Sequence, residues 1–277
     1  MLSQEFMRNA LLAGTFVALA CGVCGWFVVL RGQVFAGDAL SHVAFPGALA
    51  AAAGGVDERV GLLLATVAVG AGIAVLGRGA LRVRGHGAAG VQAADDTTIG
   101  IVFTFVLGLG VFFLTRFSMS SGGASGILAA HTLFGSIFGL GAGEARLAAG
   151  ISLAVVAAAL LISRPLLFAS VAPEAAAARG VPTRLLGVGF LVLLGVVAAE
   201  ATQAVGALLL LGLLAAPAAT AHRHASAPAA GIALAGALAV GATWGGLALA
   251  YAVPSLPPSS AIVGLASATY YVPRLFT

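Results

Sequence analysis

The sequence contains no lysine: all 13 of its basic residues are arginine. A P-loop needs a lysine on the nucleotide phosphates, so the G-x-x-x-x-G-K signature cannot occur, and any ATP that powers this chain is bound by another polypeptide. Charge of either sign is scarce. Only 8% of the 277 residues are charged, where a soluble domain carries about a quarter. So few charges cannot coat a water-facing surface of this size, which excludes an ordinary soluble protein. Strand-like alternation over long stretches is missing too, which argues against a membrane barrel. Cysteine is limited to Cys21 and Cys24, in the run C-G-V-C inside an apolar stretch. At that spacing the two thiols share a helix face. They are read either as small hydrophobes in tight packing or as a soft-metal or redox pair.

What remains is apolar and small. Hydrophobic residues make up 61% of the chain, and it holds 39 glycines. Small residues let helices approach closely in lipid, where association depends on packing. The reading is an all-α, polytopic helical membrane protein with about eight to nine transmembrane helices, a single domain over 1–277. Hydropathy places spans at 9–30, 39–54, 60–77, 98–115, 147–163, 185–199, 205–222 and 227–252. Two less regular segments follow the same composition, 126–141 and 261–272, the second a ninth span or a re-entrant piece. The first run is longer than the apolar region of a signal peptide and is kept as a span.

Arginine placement orients the bundle. Arg78, Arg82 and Arg84 lie in one connection, Arg164, Arg179 and Arg184 in a second, and His222, Arg223 and His224 in a third. All three belong on the cytoplasmic side. Arg31 then falls inside, and the Asp57–Arg59 and Glu200–Gln203 connections and the N-terminus fall outside. The net charge of +4 is thus a topological signal and points to no nucleic acid. The connection 164–184 has its own local structure. Pro173 suits the first helical position and Glu174 the positive end of a helix dipole. Four alanines follow, and Gly180 and Pro182 stop the helix. The result is a short cytoplasmic helix, either a docking element for a soluble partner or a tidy loop.

Chemistry concentrates in few places. Asp38 and His42, in GDALSHVAFPG, stand one turn apart on a common face. An intramembrane carboxylate with an imidazole suits borderline divalent metals; alternatively Asp38 caps the helix start while His42 bonds a neighbouring helix. Glu200 is either a capture ligand at an outer mouth or a solvated loop acid. His86, His222 and His224 read as solvated or headgroup residues, with His222 and His224 as a further meeting point for metal. The four residues GASG, 123–126, match the serine motif of rhomboid-type intramembrane proteases. His131, six residues beyond Ser125, is poorly placed as a base from another helix.

Taken in order, these runs resemble the membrane permease subunits of ATP-binding-cassette importers for zinc, manganese or iron. FVVLRGQVFAGDALSHVAFPG is similar to that family's second-span signature and TTIGIVFTFVLGLGVFF to its block after the long cytoplasmic loop. LFGSI, APEAAAARGVP, VGALLLLGLLAAPAATA and LPPSSAIV follow in the family's order, so the resemblance covers nearly the whole chain. It implies a homodimer or pseudo-dimer in the cytoplasmic membrane of a prokaryote, with a pathway between protomers. It also implies an ABC ATPase subunit on the inside and an extracytoplasmic metal-binding protein on the outside. Asp38 and His42 match the family's pathway acid and histidine, and Pro173, Glu174, Ala177, Arg179, Gly180 and Pro182 fall in its coupling segment. The chain then holds no cofactor of its own; the metal is cargo and the partner subunit binds ATP. Two departures stand out: Ala172 replaces a common acid, and His131 stands where other residue types are expected. LLAAPAATAHRHA resembles the zinc-importing members more than the manganese ones, so zinc is the expected cargo. The reading from another class is a secondary metal transporter or channel that works without ATP.

Overall fold

A chain in hydrocarbon must satisfy its amides within each segment, and the long apolar runs of this sequence do so as α-helices. The computed structural model describes residues 4–76, 88–121, 133, 135–207 and 210–271, and no strand occurs among them. The helices are α1 (Glu5–Leu30), α2 (Val34–Ala53), α3 (Glu58–Leu76), α4 (Ala88–Ser121), α5 (Ala142–Leu161), α6 (Ser163–Val171), α7 (Pro173–Ala178), α8 (Thr183–Val205), α9 (Leu210–His224), α10 (Pro228–Ala252) and α11 (Pro258–Tyr271). Among the described residues seven helices, α1 to α5, α8 and α10, are long and apolar enough to cross a membrane. The other two apolar helices are shorter, 15 residues for α9 and 14 for α11. Seven full spans and two short ones agree with the expected eight to nine.

Three boundaries differ from the hydropathy reading. α2 begins at Val34, five residues before the expected start, because Val34–Gly37 are already helical directly after the polar Arg31–Gln33 elbow. α8 runs on to Val205, so Glu200–Gln203 are helical and form no connection; Gly206, at φ 95°, makes the break. The described end of the 126–141 segment is not a span: it holds a single 3-10 turn, Ile137–Gly139. The 123–126 serine motif, His86, His131 and the arginines at 78, 82 and 84 lie outside the described residues.

α1 is the axis. It packs against α5, α8, α9 and α10, while α2 packs against α3, α4 and α8, and α8 joins the two groups. Backbone approach explains why α1 carries glycine here: a Cβ on Gly22 would sit 2.6 Å from the carbonyl oxygen of Ala235 in α10. The same holds between α2 and α3, where a Cβ on Gly47 would lie 2.7 Å from the Gly61 carbonyl oxygen. Cys21 and Cys24 are fully buried in this core and unpaired. They pack as small hydrophobes.

Candidate functional site

The Asp38–His42 face of α2 is built by helical periodicity. Phe35, Asp38, His42 and Phe45 recur at three- and four-residue spacing and are the residues of this stretch that stay partly open. The carboxylate Oδ1 of Asp38 lies 3.9 Å from Nε2 of His42, with the two side chains 33% and 22% exposed. That separation is beyond a hydrogen bond. The cap alternative fails, because Gln33 occupies the N-cap position and Asp38 lies inside the helix. From α4, Phe103 places its ring 5.5 Å from that of His42 and 6.5 Å from that of Phe35. Pro46 in the next turn lacks the amide that would bond the carbonyl of His42, and Gly110 of α4 packs on the proline ring. Among the described residues no three His, Cys, Asp or Glu side chains cluster closely enough to hold a metal. One copy of the chain therefore offers two ligands at this point.

A second acid–base pair lies at the other end of the bundle. Arg59, at the start of α3, donates from Nη2 to Oε2 of Glu200 in α8 at 2.6 Å. Its Nη1 reaches the carbonyl oxygen of Glu144 in α5 at 3.4 Å. Asp57 anchors the loop by accepting from the Arg59 amide at 2.8 Å. Glu200 is only 2% exposed, so it is not the solvated loop acid of one sequence reading. It is a buried partner of Arg59. Oε1 of Glu200 and Nε of Arg59 have no protein hydrogen-bond partner. Beside this pair opens a cavity of about 700 Å³ lined by Asp57, Glu58, Arg59, Glu144, Thr202 and Gln203, among others.

The end bearing the α1–α2 elbow also carries the short helix α7. Pro173 occupies its first turn and Glu174 follows. Gly180 adopts φ 78° to turn the chain out, and the Val181 amide bonds the Ala176 carbonyl. Ala176 is buried, whereas Pro173, Glu174, Ala177 and Arg179 are exposed. His222 departs from its solvated reading: it stacks on Trp26 with ring centroids 4.6 Å apart, and its Nε2 lies 2.9 Å from the Trp26 carbonyl oxygen. His224 is exposed and reaches only the Thr220 carbonyl. Two residues apart on a helix, the imidazoles do not face each other, and they form no joint site.

The model of the ABC 3 transport family matches residues 3–277. The chain belongs to that family. It is a permease component and is not itself an enzyme. It is 29% identical over 222 residues to the manganese transport system membrane protein MntC of Halalkalibacterium halodurans, a match covering 80% of this chain and 70% of that protein. It is 28% identical over 272 residues to the manganese import system permease protein ScaB of Streptococcus parasanguinis, covering 98% and 90%. Among solved structures, PsaBC from Streptococcus pneumoniae in complex with Fab superposes with a TM-score of 0.80 at 27% identity, covering 97% of this chain and 91% of that one.

The sequence singled out Asp38, His42 and the α7 residues, and the structure presents the first two on one face of α2. Glu200 lies at the opposite end of the bundle and is not part of that pair. Reasoning missed Arg59 as more than a topological charge. Its partner is 141 residues away, and the one local signal was a lone cation between Glu58 and an apolar run.

Proposed function

We propose that this chain is the permease of an ATP-binding-cassette importer for a divalent transition metal, and that the cation passes between the α2 helices of two copies. The observation that carries this reading is the open pair on α2. An acid and an imidazole that shared a hydrogen bond would be satisfied by each other. Held 3.9 Å apart and part-exposed, they are both free to accept a cation. Two copies facing one another would supply two carboxylates and two imidazoles, a site that ligates but does not enclose and so allows release. A histidine ligand must be neutral, so binding weakens on acidification. ATP comes from a separate ATPase seated on α7, and an extracytoplasmic binding protein delivers the metal at the Arg59 end.

Manganese now stands ahead of zinc as cargo. The two relatives described are named for manganese, and a third, at 26% identity over 204 residues, is a probable iron transport protein of Haemophilus influenzae. These names outweigh the zinc-like run near His222, because that imidazole is engaged with Trp26. Carboxylate suits manganese and imidazole suits zinc, so the ligands themselves do not choose. Reconstitution of the chain with its ATPase in proteoliposomes tests the reading. ATP-dependent uptake of manganese, with zinc the slower cargo under equal free-ion concentrations, is the expected result. Uptake by the lone chain driven by a proton gradient would replace the importer with a secondary carrier.

A further inference from the structure

The short cytoplasmic helix and the metal-bearing helix do not adjoin in sequence, so a push on one must reach the other through side chains. The route is visible at Arg31, in the three-residue elbow between α1 and α2. Its Nη1 donates to Oγ of Ser170 in α6 at 3.0 Å, and its Nε donates to Oε1 of Gln33 at 3.1 Å. The guanidinium also lies over the ring of Phe190 in α8, 5.6 Å from the centroid, and Phe190 is fully buried. The Ser170 hydroxyl donates to the Leu166 carbonyl at 2.6 Å while accepting from Arg31, so its one proton is already used. On the far side of α6, the guanidinium of Arg179 at the end of α7 lies over Phe168, 5.7 Å from its centroid.

The elbow is tightly bonded. Gly32 makes the turn at φ 65°. The Gln33 amide bonds back to the Val28 carbonyl at 2.9 Å, and the Gly37 amide bonds the Gln33 carbonyl at 3.2 Å. Asp38 follows Gln33 by five residues on one continuous helix, a distance of roughly 7.5 Å along the axis. A planar guanidinium holding two acceptors in fixed directions is a stiffer link than an ammonium, which offers a point charge on a flexible stem.

We propose that Arg31 is the positioning residue that transmits movement of α7 and α6 to the α2 elbow, and so sets the Asp38–His42 face in step with ATP hydrolysis. This rests on the importer reading above. The competing account is that Arg31 merely places a positive charge at the C-terminal end of α1. Lysine separates the two, because it keeps the charge and loses the fork.

The test uses the full complex of permease, its ATPase and its binding protein in proteoliposomes, with manganese as probe and manganese moved per ATP hydrolysed as readout. Arg31→Lys is expected to keep the ATPase bound at wild-type stoichiometry and to keep hydrolysis running. The transport-to-hydrolysis ratio should fall about tenfold, the equivalent of one charge-assisted hydrogen bond. Ser170→Ala should lower the ratio about threefold, and adding it to Arg31→Lys should lower it no further, since the two act through one contact. A wild-type ratio in both single variants overturns the linkage while leaving the importer reading standing. Should Arg31→Lys fail to fold, the ratio in Ser170→Ala decides alone. A wild-type complex that moves no manganese with ATP overturns the functional reading, and the linkage with it.

Discussion

Arg59 and Glu200 meet at 2.6 Å with the carboxylate 2% exposed, whereas Asp38 and His42 stand 3.9 Å apart with a third and a fifth of their side chains open. Both are acid–base pairs on membrane-spanning helices. The first joins α3 to α8 and, through the Glu144 carbonyl, to α5; it ties three helices at the end of the bundle away from α7. The second lies within one helix, and its one ring contact to a neighbour among the described residues is that of His42 with Phe103 of α4. The closed pair commits one carboxylate oxygen of Glu200 to joining helices and leaves the other without a protein partner, whereas the open pair commits neither group to the other. The difference separates the pair that holds the bundle from the pair proposed for the cargo, although composition alone would group all four together.

The largest effect should come from breaking the closed pair on one side. Arg59→Met strands a buried carboxylate and should cost about 3–5 kcal/mol, read as a lowered denaturation midpoint in detergent; the double variant Arg59→Met/Glu200→Leu should recover most of it, because an incompletely satisfied buried pair adds little net stability. A double variant as unstable as the single one would show that the clasp carries cohesion of its own. Next in size is the open pair. Asp38→Asn, or His42→Ala, should slow metal uptake by at least about a hundredfold, since even a supporting contact to a metal ligand is worth 10–100-fold. Stability should change by less than in Arg59→Met, because no buried charge is stranded. Wild-type uptake by the purified variant would remove these residues from the pathway. The smallest effect tests whether the two pairs are mechanically separable. Gly61 lies two residues beyond Arg59, and a Cβ there would meet the Gly47 carbonyl oxygen at 2.5 Å on the helix that bears His42. Gly61→Ala should cost about 1–3 kcal/mol by overpacking. It should lower uptake only as far as folded protein is lost; a drop in uptake per folded molecule would show that the α2–α3 seam sets the geometry of the open pair.

Local signals account for what could be read in advance. α7 was legible because a proline start and a glycine stop act within a few residues, and both Pro173 and Gly180 sit where that logic puts them. The Asp38–His42 face was legible because helical spacing is itself a sequence property. The start of α2 was not, since Val34–Gly37 follow a polar elbow and the helix there is held by its neighbours. The solvated-loop reading of Glu200 failed for a related reason. A dip in hydropathy resembles a loop, and only a partner from a distant segment makes burial of such a group affordable. The stack of His222 on Trp26, 196 residues apart, was invisible on the same ground.

The two cysteines bear on how the molecule can be watched. Cys21 and Cys24 are 0% exposed, and the chain has no other thiol. A water-soluble maleimide therefore finds no native target on the folded protein. A single cysteine placed at Ser226 in the turn before α10, or at Val56 in the loop before α3, can carry a spin label or a fluorophore without any change to α1. Both ends of the bundle are thus open to distance measurements during turnover, on a background that keeps its own core intact.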